Sequence, residues 1–248
     1  MKLPQMLTTS LVLAGALAAI PAHGSVIIDS TRVIYPLDER EVTVRLTNDS
    51  KSPSLVQVWI DDGDPDARPD EAKAPFVVTP PIFRMSAQKA QTLRLIYTGD
   101  ALPPDRESVY WLNVLDIPPR PSGGQAKANT LRFAFRTRIK IFARPARLEG
   151  TPESAPAQLR WRLVDAPDGK GQALQVSNPT PYHVSFSDLS VHAGGRTFSN
   201  ERGGMAAPEG ITLLPVPGLD AVADGAKVQF TAISDYSAPL PGEAPLAR

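Results

Sequence analysis

The sequence contains no cysteine among its 248 residues. The chain therefore has no disulfide, no thiol nucleophile and no cysteine-ligated metal, which excludes thiol catalysis, disulfide exchange and zinc ribbons. Histidine is also scarce, and only His183 and His192 lie beyond the first 24 residues. Two histidines nine residues apart in a cysteine-free region argue against a zinc site. We therefore expect no metal site.

The chain also lacks an excess of charge of either sign, with 26 basic and 26 acidic residues. Lys2 is the one charged residue in the first 24, so the remainder carries 25 basic and 26 acidic residues. A nearly neutral chain is not built for nonspecific binding to nucleic acid or to an anionic membrane surface. Any basic feature must therefore be local.

Long hydrophobic runs are missing beyond the N-terminus. The run from Leu7 to Ile20 is shorter than the roughly 20 residues that span a bilayer. It follows Lys2 and precedes Ala22-His23-Gly24, which places small residues where a signal peptidase reads them. We predict a cleaved secretory signal over residues 1–24, a mature chain that begins near Ser25, and an extracytoplasmic location. A cytosolic protein with an apolar N-terminus is the alternative.

Motifs for common enzyme chemistry are absent as well. The sequence has neither a Gly-x-Ser-x-Gly elbow nor a phosphate-binding loop, and no nucleophile is paired with a base. The segment from Asp61 to Asp66 resembles a calcium loop, but Ala67 replaces the required glycine and Lys73 the required glutamate. We interpret this segment as a solvated hairpin loop. We predict a protein that is not an enzyme and uses no cofactor.

Proline, in contrast, is abundant, with 26 residues, about twice its usual share. The prolines separate short runs in which apolar and polar residues alternate, such as Val42–Thr47, Leu93–Tyr97 and Val228–Ala232. Alternation with a period of two indicates half-buried strands, and no segment keeps a helical period over three turns. Many short strands without helices favour an all-β sandwich.

A composition change divides the chain around residues 143–156, which are rich in proline, alanine and glutamate and lack alternation. The two parts are each close to the size of one sandwich. We predict one domain over residues 25–145 and a second over residues 146–248. A single larger sandwich is the alternative.

The stretch from Asn129 to Pro145 predicts a strand with one apolar and one cationic face. Leu131, Phe133 and Phe135 share the apolar face. The opposite face carries the basic side chains Arg132, Arg136, Arg138 and Lys140. Alternation alone favours an ordinary core-facing strand with solvated arginines.

Six motifs resemble, in their order and spacing, the periplasmic pilus (fimbrial) assembly chaperones of the PapD-like family. They extend from residue 31 to residue 236. Each motif is weak by itself, whereas the ordered set is highly specific. The motifs are Thr31-Arg32-Val33, Thr79-Pro80-Pro81, Pro104–Pro119, Arg138–Pro145, Asn178–Tyr182 and Ile233–Tyr236.

The resemblance implies two immunoglobulin-like β-sandwich domains in tandem with a cleft between them. Such a chaperone holds a pilus subunit, a sandwich that lacks its last strand, by adding a strand of its own (donor-strand complementation). It prevents aggregation and delivers the subunit to an outer-membrane usher, where the next subunit's extension displaces the lent strand without a nucleotide. We therefore expect a periplasmic location, pilus subunits and the usher as partners, no nucleic acid, and no membrane insertion.

The resemblance also assigns the donor strand to about residues 129–142. Leu131, Phe133 and Phe135 fall at the positions whose side chains plug the groove of the subunit. Burial of a large apolar side chain contributes about 1.5–3 kcal/mol, so three plugs supply a substantial binding energy. Self-association of the free chain through this apolar strand stays open.

Arg32 and Lys140 fall where the family holds the C-terminal carboxylate of the subunit. Two cations on one carboxylate form a strong, charge-assisted contact that fixes the register. Lys140 has the opposite parity from Phe135, and a bulge or twist between them would reconcile the two positions.

A third group, Glu107, Arg144 and Asp235, matches a buried ion-pair network that fixes the angle between the domains. The planar fork of an arginine can bind two carboxylates at once. This network is predicted to be structural.

Two further features concern loops and the C-terminus. The short loop from Arg120 to Ala128 resembles that of family members that serve thick, rod-like pili. The chain lacks a C-terminal cysteine pair and ends soon after Tyr236, so we expect the last strand of the second domain to be absent or disordered.

The rival function is an exported β-sandwich adhesin or carbohydrate-binding module. A carbohydrate-binding module would need exposed aromatic side chains. Trp59, Trp111 and Trp161 lie in strand-like runs, where packing in the core is their commoner role.

Overall fold

The computed structural model describes residues 25–120, 131–166, 171–219 and 225–247. Within these ranges the regular secondary structure is almost all β-strand, and the one helical element is a 3-10 turn at Ala155–Gln158. In the same ranges, no helix has the length and hydropathy of a membrane span. The predicted signal over residues 1–24, the predicted loop beyond Arg120, and residues 129–130 of the predicted donor strand lie outside the described residues.

The first domain contains nine described strands that form two sheets. In chain order the strands are β1 (Val26–Ile28), β2 (Arg32–Pro36), β3 (Val42–Asn48), β4 (Ser54–Asp61), β5 (Phe76–Thr79), β6 (Ile82–Met85), β7 (Ala90–Tyr97), β8 (Ser108–Ile117) and β9 (Phe135–Arg144). One sheet has the order β1-β3-β7-β5, and the other has the order β2-β9-β8-β4-β6.

The two sheets enclose one core built from the alternate residues that the sequence predicts. Val44 and Leu46 of β3 are buried beside Leu93 and Leu95 of β7, while the residues between them are largely exposed. Ile141 of β9 joins this core from the other sheet. Each such side chain contributes about 1.5–3 kcal/mol through burial. The alternation therefore confirms the predicted strands.

Strand β9 has a different partner on each edge. It pairs antiparallel with β8 from Phe135 to Ala143 without a shift of register. It pairs parallel with β2 only from Lys140 to Arg144. No bulge therefore separates Phe135 from Lys140, and Lys140 has the opposite parity because its side chain lies on the other face of an unbroken strand.

The strand that was predicted over residues 129–142 begins later and ends later, at Phe135 and Arg144. Residues 131–134 belong to no ladder. The reason is that β8 pairs only as far as Asp116 opposite Phe135, so the preceding residues have no neighbouring strand to bond with.

The second domain contains eight described strands. They are β10 (Arg160–Asp165), β11 (Gln172–Asn178), β12 (Val184–Ala193), β13 (Arg196–Asn200), β14 (Gly204–Ala206), β15 (Gly210–Pro215), β16 (Lys227–Ile233) and β17 (Pro239–Ala247). Their order is β13-β12-β16-β17-β10-β11-β15, and β14 pairs with β12. The two halves of this sheet enclose a core centred on Trp161. The ring centroid of Trp161 lies 5.4 Å from that of Phe230 and 5.5 Å from that of Phe186.

The expectation that the last strand is absent or disordered is wrong. Strand β17 pairs with the whole of β16 and meets β10 at its end. Its prolines at 239, 241 and 245 share one parity, and residues of one parity direct their N–H groups to the same side. Leu246, of the other parity, donates its N–H to the Ala226 carbonyl. The N–H groups that these prolines lack would therefore point away from β16. The prolines thus remove no hydrogen bond between β17 and β16.

A substitution at Gly242 tests whether β17 is part of the folded domain. A Cβ atom at this position would lie 2.4 Å from the ring of the buried Phe230. We expect Gly242→Ala to lower the free energy of unfolding by about 1–3 kcal/mol through overpacking, measured by urea denaturation. The neighbouring Glu243→Gln, on an exposed side chain, is the control and should change the stability by less than about 1 kcal/mol. Equal stabilities for the two variants would contradict the position of β17.

Candidate functional site

Arg32 and Lys140 lie side by side in the cleft between the domains. The parallel register of β2 and β9 places them opposite each other. Both side chains reach the second domain: the Lys140 Nζ donates to the Ser185 Oγ at 3.1 Å, and the Arg32 Nη1 donates to the Ile233 carbonyl at 2.9 Å. The fold therefore brings together the two cations that the sequence motifs assign to one site.

This pair of cations is suited to an anion. Among the described residues, no carboxylate lies within 4.0 Å of either head group, and the buried Arg32 Nε has no hydrogen-bond partner. Burial and the charge of Arg32 lower the pKa of Lys140 to about 8. Burial also lowers the pKa of Arg32, against the attraction of Asp235 and Glu107. A carboxylate would stabilise both charges and could accept the unused N–H.

An open strand edge leads to this pair. Because β2 begins at Arg32, opposite Lys140, the edge of β9 from Phe135 to Ile139 has no neighbour on that side among the described strands. An unpaired edge offers backbone donors and acceptors to a further strand.

The predicted plug residues lie at the far end of that edge. Leu131 is 87% exposed, Phe133 64% and Phe135 43%. Exposed large apolar side chains beside an open edge characterise a surface for strand addition. Phe135 shares its parity with Ile139 and Ile141, which are in the core, so the apolar face of β9 passes from the core of this chain to its surface.

Arg144 joins the two domains through an ion-pair network. Its Nε donates to the Glu107 Oε1 at 2.7 Å, and its Nη1 and Nη2 donate to the Asp235 carboxylate at 2.7 and 3.0 Å. Burial opposes the charge of Arg144, but the bonds and charges of Asp235 and Glu107 raise its pKa. Burial likewise opposes the charge of Glu107, but His183 and Arg144 lower its pKa. The fold therefore brings the three predicted residues into direct contact.

His183 is a member of this network that the sequence analysis considered only as a metal ligand. Its backbone N–H donates to the Glu107 Oε2 at 2.8 Å, and its Nδ1 lies 3.3 Å from the same oxygen. Its ring lies 5.5 Å from that of Phe142. The one available signal was its position directly after the motif Asn178–Tyr182.

The cleft-facing side of β9 also carries two arginines that stack on tryptophans. The Arg136 guanidinium lies 4.7 Å from the Trp59 ring centroid, and that of Arg138 lies 4.2 Å from that of Trp111. Trp161 lies in the core as expected. Trp59 is also buried as expected, beneath Arg136. The expectation is wrong for Trp111, which is half-buried.

Asp61 corrects the interpretation of residues 61–66 as a solvated loop. Residues 62–66 are exposed, but Asp61 ends β4 and is buried. It forms an ion pair with Arg138 and accepts a hydrogen bond from the Asn113 Nδ2 at 2.6 Å. Burial would raise its pKa, but the bonds from Arg138 and Asn113 keep it below its usual value. The sequence does not show that the Arg138 side chain of β9 contacts Asp61. The carboxylate of Asp61 was therefore assigned to solvent.

The Arg144 network predicts a large loss of stability on truncation. We expect Arg144→Ala to lower the free energy of unfolding by about 3–5 kcal/mol, because the buried Glu107 loses its main countercharge. Chemical denaturation of the wild-type protein, of Arg144→Ala and of a control variant measures the effect. The control Arg94→Ala breaks an exposed ion pair with Glu41 and should cost less than about 1 kcal/mol. A similar small loss for both would show that the network contributes little.

The buried charge of Lys140 predicts a pH-dependent stability. Its pKa is about 8 in the folded chain and close to the ordinary value of roughly 10.4 in the unfolded chain. Between these values the unfolded chain binds the extra proton, so the free energy of unfolding rises with pH across this window. We expect Lys140→Met to stabilise the protein at pH 7 by on the order of 1–3 kcal/mol, and this gain to shrink by pH 10.

Urea denaturation of both proteins at the two pH values measures this difference. Lys51→Met, at an exposed lysine, is the control and should give the same difference from wild type at both. A destabilising Lys140→Met at pH 7, or a gain that does not change with pH, would contradict the buried charge.

Comparisons with known proteins agree with this geometry. Residues 25–149 match the family "Pili and flagellar-assembly chaperone, PapD N-terminal domain", and residues 154–244 match "Pili assembly chaperone PapD, C-terminal domain". The chain is 44% identical over 223 residues to the "Probable fimbrial chaperone YadV" of Escherichia coli K12, with 89% of each chain covered.

Two solved structures extend the likeness to three dimensions. The YadV chaperone superposes with a TM-score of 0.76 at 42% identity, covering 90% of this chain and all of the other. The SafB chaperone, in its complex with the SafA pilin of Salmonella enterica, has a TM-score of 0.73 at 29% identity and covers 92% and 99%. The matched domains cover nearly all of the described residues in the order that the sequence motifs follow. The chain therefore belongs to the PapD-like family of pilus-assembly chaperones.

Proposed function

We propose that this chain binds pilus subunits by lending them strand β9 together with the residues just before it, prevents their aggregation and delivers them to an outer-membrane usher. The observation that carries the proposal is the open edge of β9, which has exposed apolar side chains at one end and the Arg32–Lys140 pair at the other. A strand of a subunit can complete the ladder there and end on the cation pair.

The residues divide the work of binding. Leu131, Phe133 and Phe135 fill the groove of the subunit, and each contributes up to about 1.5–3 kcal/mol when buried. Arg32 and Lys140 hold its terminal carboxylate. The network of Arg144 keeps the second domain in place behind the site.

Delivery requires that the lent strand be exchangeable. The next subunit can replace β9 strand for strand at the usher, so the step needs neither a nucleotide nor a catalytic residue, and we propose no enzymatic activity. The same exposed edge is the surface through which free chains would self-associate.

The location follows from the family, whose fimbrial chaperones are periplasmic. A cleavable signal over residues 1–24, cut near Ser25, is our proposal for how this chain reaches that compartment. The relatives are named as chaperones, which does not favour the adhesin or carbohydrate-binding alternative.

Affinity capture from the periplasm of the native host tests this function. We expect the tagged wild-type protein to recover a small exported protein with an incomplete β-sandwich. Arg32→Ala and Lys140→Ala should each reduce the recovery by at least about tenfold, because a charge-assisted contact contributes about 1.5–3 kcal/mol. Phe133→Asp should reduce it similarly by placing a charge in an apolar groove.

Arg45→Ala is the matched control, because Arg45 is exposed and belongs to the other sheet. Full recovery of the subunit with Arg32→Ala and Lys140→Ala would contradict the carboxylate site. Failure of the wild-type protein to recover any such subunit while its genes are expressed would contradict the proposed function.

A further inference from the structure

The cleft-facing side of β9 offers more than one cation to an incoming carboxylate. Arg136, Arg138, Lys140 and Arg144 share one parity on an unbroken strand. Acidic residues of this chain contact three of them: Asp61 forms a close ion pair with Arg138 and lies 3.7 Å from Arg136, and two carboxylates contact Arg144. Lys140 is the one cation of this row without a carboxylate partner among the described residues.

Geometry fixes the direction of a strand that binds here. The open edge of β9 extends from Phe135 to Ile139, and the anchor pair lies just beyond it at Lys140. A strand that lies along this edge and ends with its carboxylate on the pair must run parallel to β9.

Such a strand has an alternative register. Because side chains alternate with a period of two, a slip by two residues keeps the same apolar side chains on the same face. The slip would move the terminal carboxylate by roughly 6.6 Å, from Lys140 to the level of Arg138. Both head groups lie over the same ring, at 4.2 Å from the Trp111 centroid for Arg138 and 5.5 Å for Lys140. An unpaired Arg138 would therefore compete with Lys140 for the carboxylate.

Asp61 forms an ion pair with Arg138 on the side of β9 that is away from the open edge. Its side chain is fully buried and accepts a hydrogen bond from the Arg138 Nε at 3.2 Å. The Asn113 Nδ2 donates to the same carboxylate at 2.6 Å, and the Arg136 Nη2 lies 3.7 Å away. A fixed, buried carboxylate satisfies both arginines.

We propose that Asp61 is a positioning residue that sets the register of the bound subunit strand by neutralising Arg138, so that the Arg32–Lys140 pair alone receives the terminal carboxylate. This inference rests on the proposed function and adds a residue that does not touch the subunit.

Disulfide trapping reads this register directly, because the chain has no cysteine of its own. Thr137 is exposed on β9 between Arg138 and Arg136, and Thr137→Cys supplies one thiol. The probes are two 12-residue peptides in which valine alternates with serine, with a free C-terminal carboxylate. One peptide has a cysteine at the fourth position from its end, which faces residue 137 when the carboxylate is at Lys140. The other has it at the second position, which faces residue 137 after the slip.

In the Thr137→Cys protein we expect at least about tenfold more crosslink to the first peptide than to the second. Adding Asp61→Asn should reduce that preference at least fivefold by raising the yield of the second crosslink. Adding Arg138→Gln to that variant removes the guanidinium that Asp61→Asn leaves without its carboxylate. Because this guanidinium is the competing cation, the original preference should be restored. Glu243→Gln in the Thr137→Cys protein is the control and should leave it unchanged.

The outcomes separate the two proposals. A Thr137→Cys protein that crosslinks neither peptide, or both equally, overturns the carboxylate anchor of the proposed function and this inference with it. A clear preference that Asp61→Asn leaves intact overturns this inference alone. Equal loss of both crosslinks on Asp61→Asn, without restoration by Arg138→Gln, shows a merely structural Asp61 and also overturns it.

Discussion

The two neighbours of strand β9 differ in length, and most of the functional geometry depends on this difference. Strand β8 pairs with it from Phe135 to Ala143, whereas β2 pairs only from Lys140 onward. Backbone groups on the remaining edge are available to another strand. The start of β2 also places Arg32 beside Lys140, so the proposed anchor lies where the open edge ends.

The parity of β9 separates two kinds of interaction. One face passes from the core at Ile139 to exposed phenylalanines at Phe133 and Phe135. The other face carries four cations and Phe142, and carboxylates from β4, from the residue before β8 and from the residues after β16 contact three of the four cations. Burying so many charges is tolerable only because nearly every one has a partner. The cation that lacks one, Lys140, has a lowered pKa because it is buried beside Arg32.

Local patterns predicted much of this correctly. Alternation identified the strands, because a half-buried strand must place apolar residues at every second position, and the ordered motifs indicated the two-domain fold and the residues of the cleft. The errors arose where a partner strand decides the outcome. The last strand was expected to be absent or disordered because few residues follow Tyr236, yet β17 pairs with the whole of β16. Asp61 looked solvated, because the sequence does not show that Arg138 crosses over it.

Residue types and their spacing along one chain were enough to predict the class of fold, the apolar and cationic faces of residues 135–144, and the absence of thiol chemistry. Packing in three dimensions sets which edge of β9 stays open, which cations contact a carboxylate, and that His183 joins the network of Arg144 and Glu107. Those features depend on side chains that are distant in sequence and meet only when the sheets and the two domains pack, so no local pattern contains them.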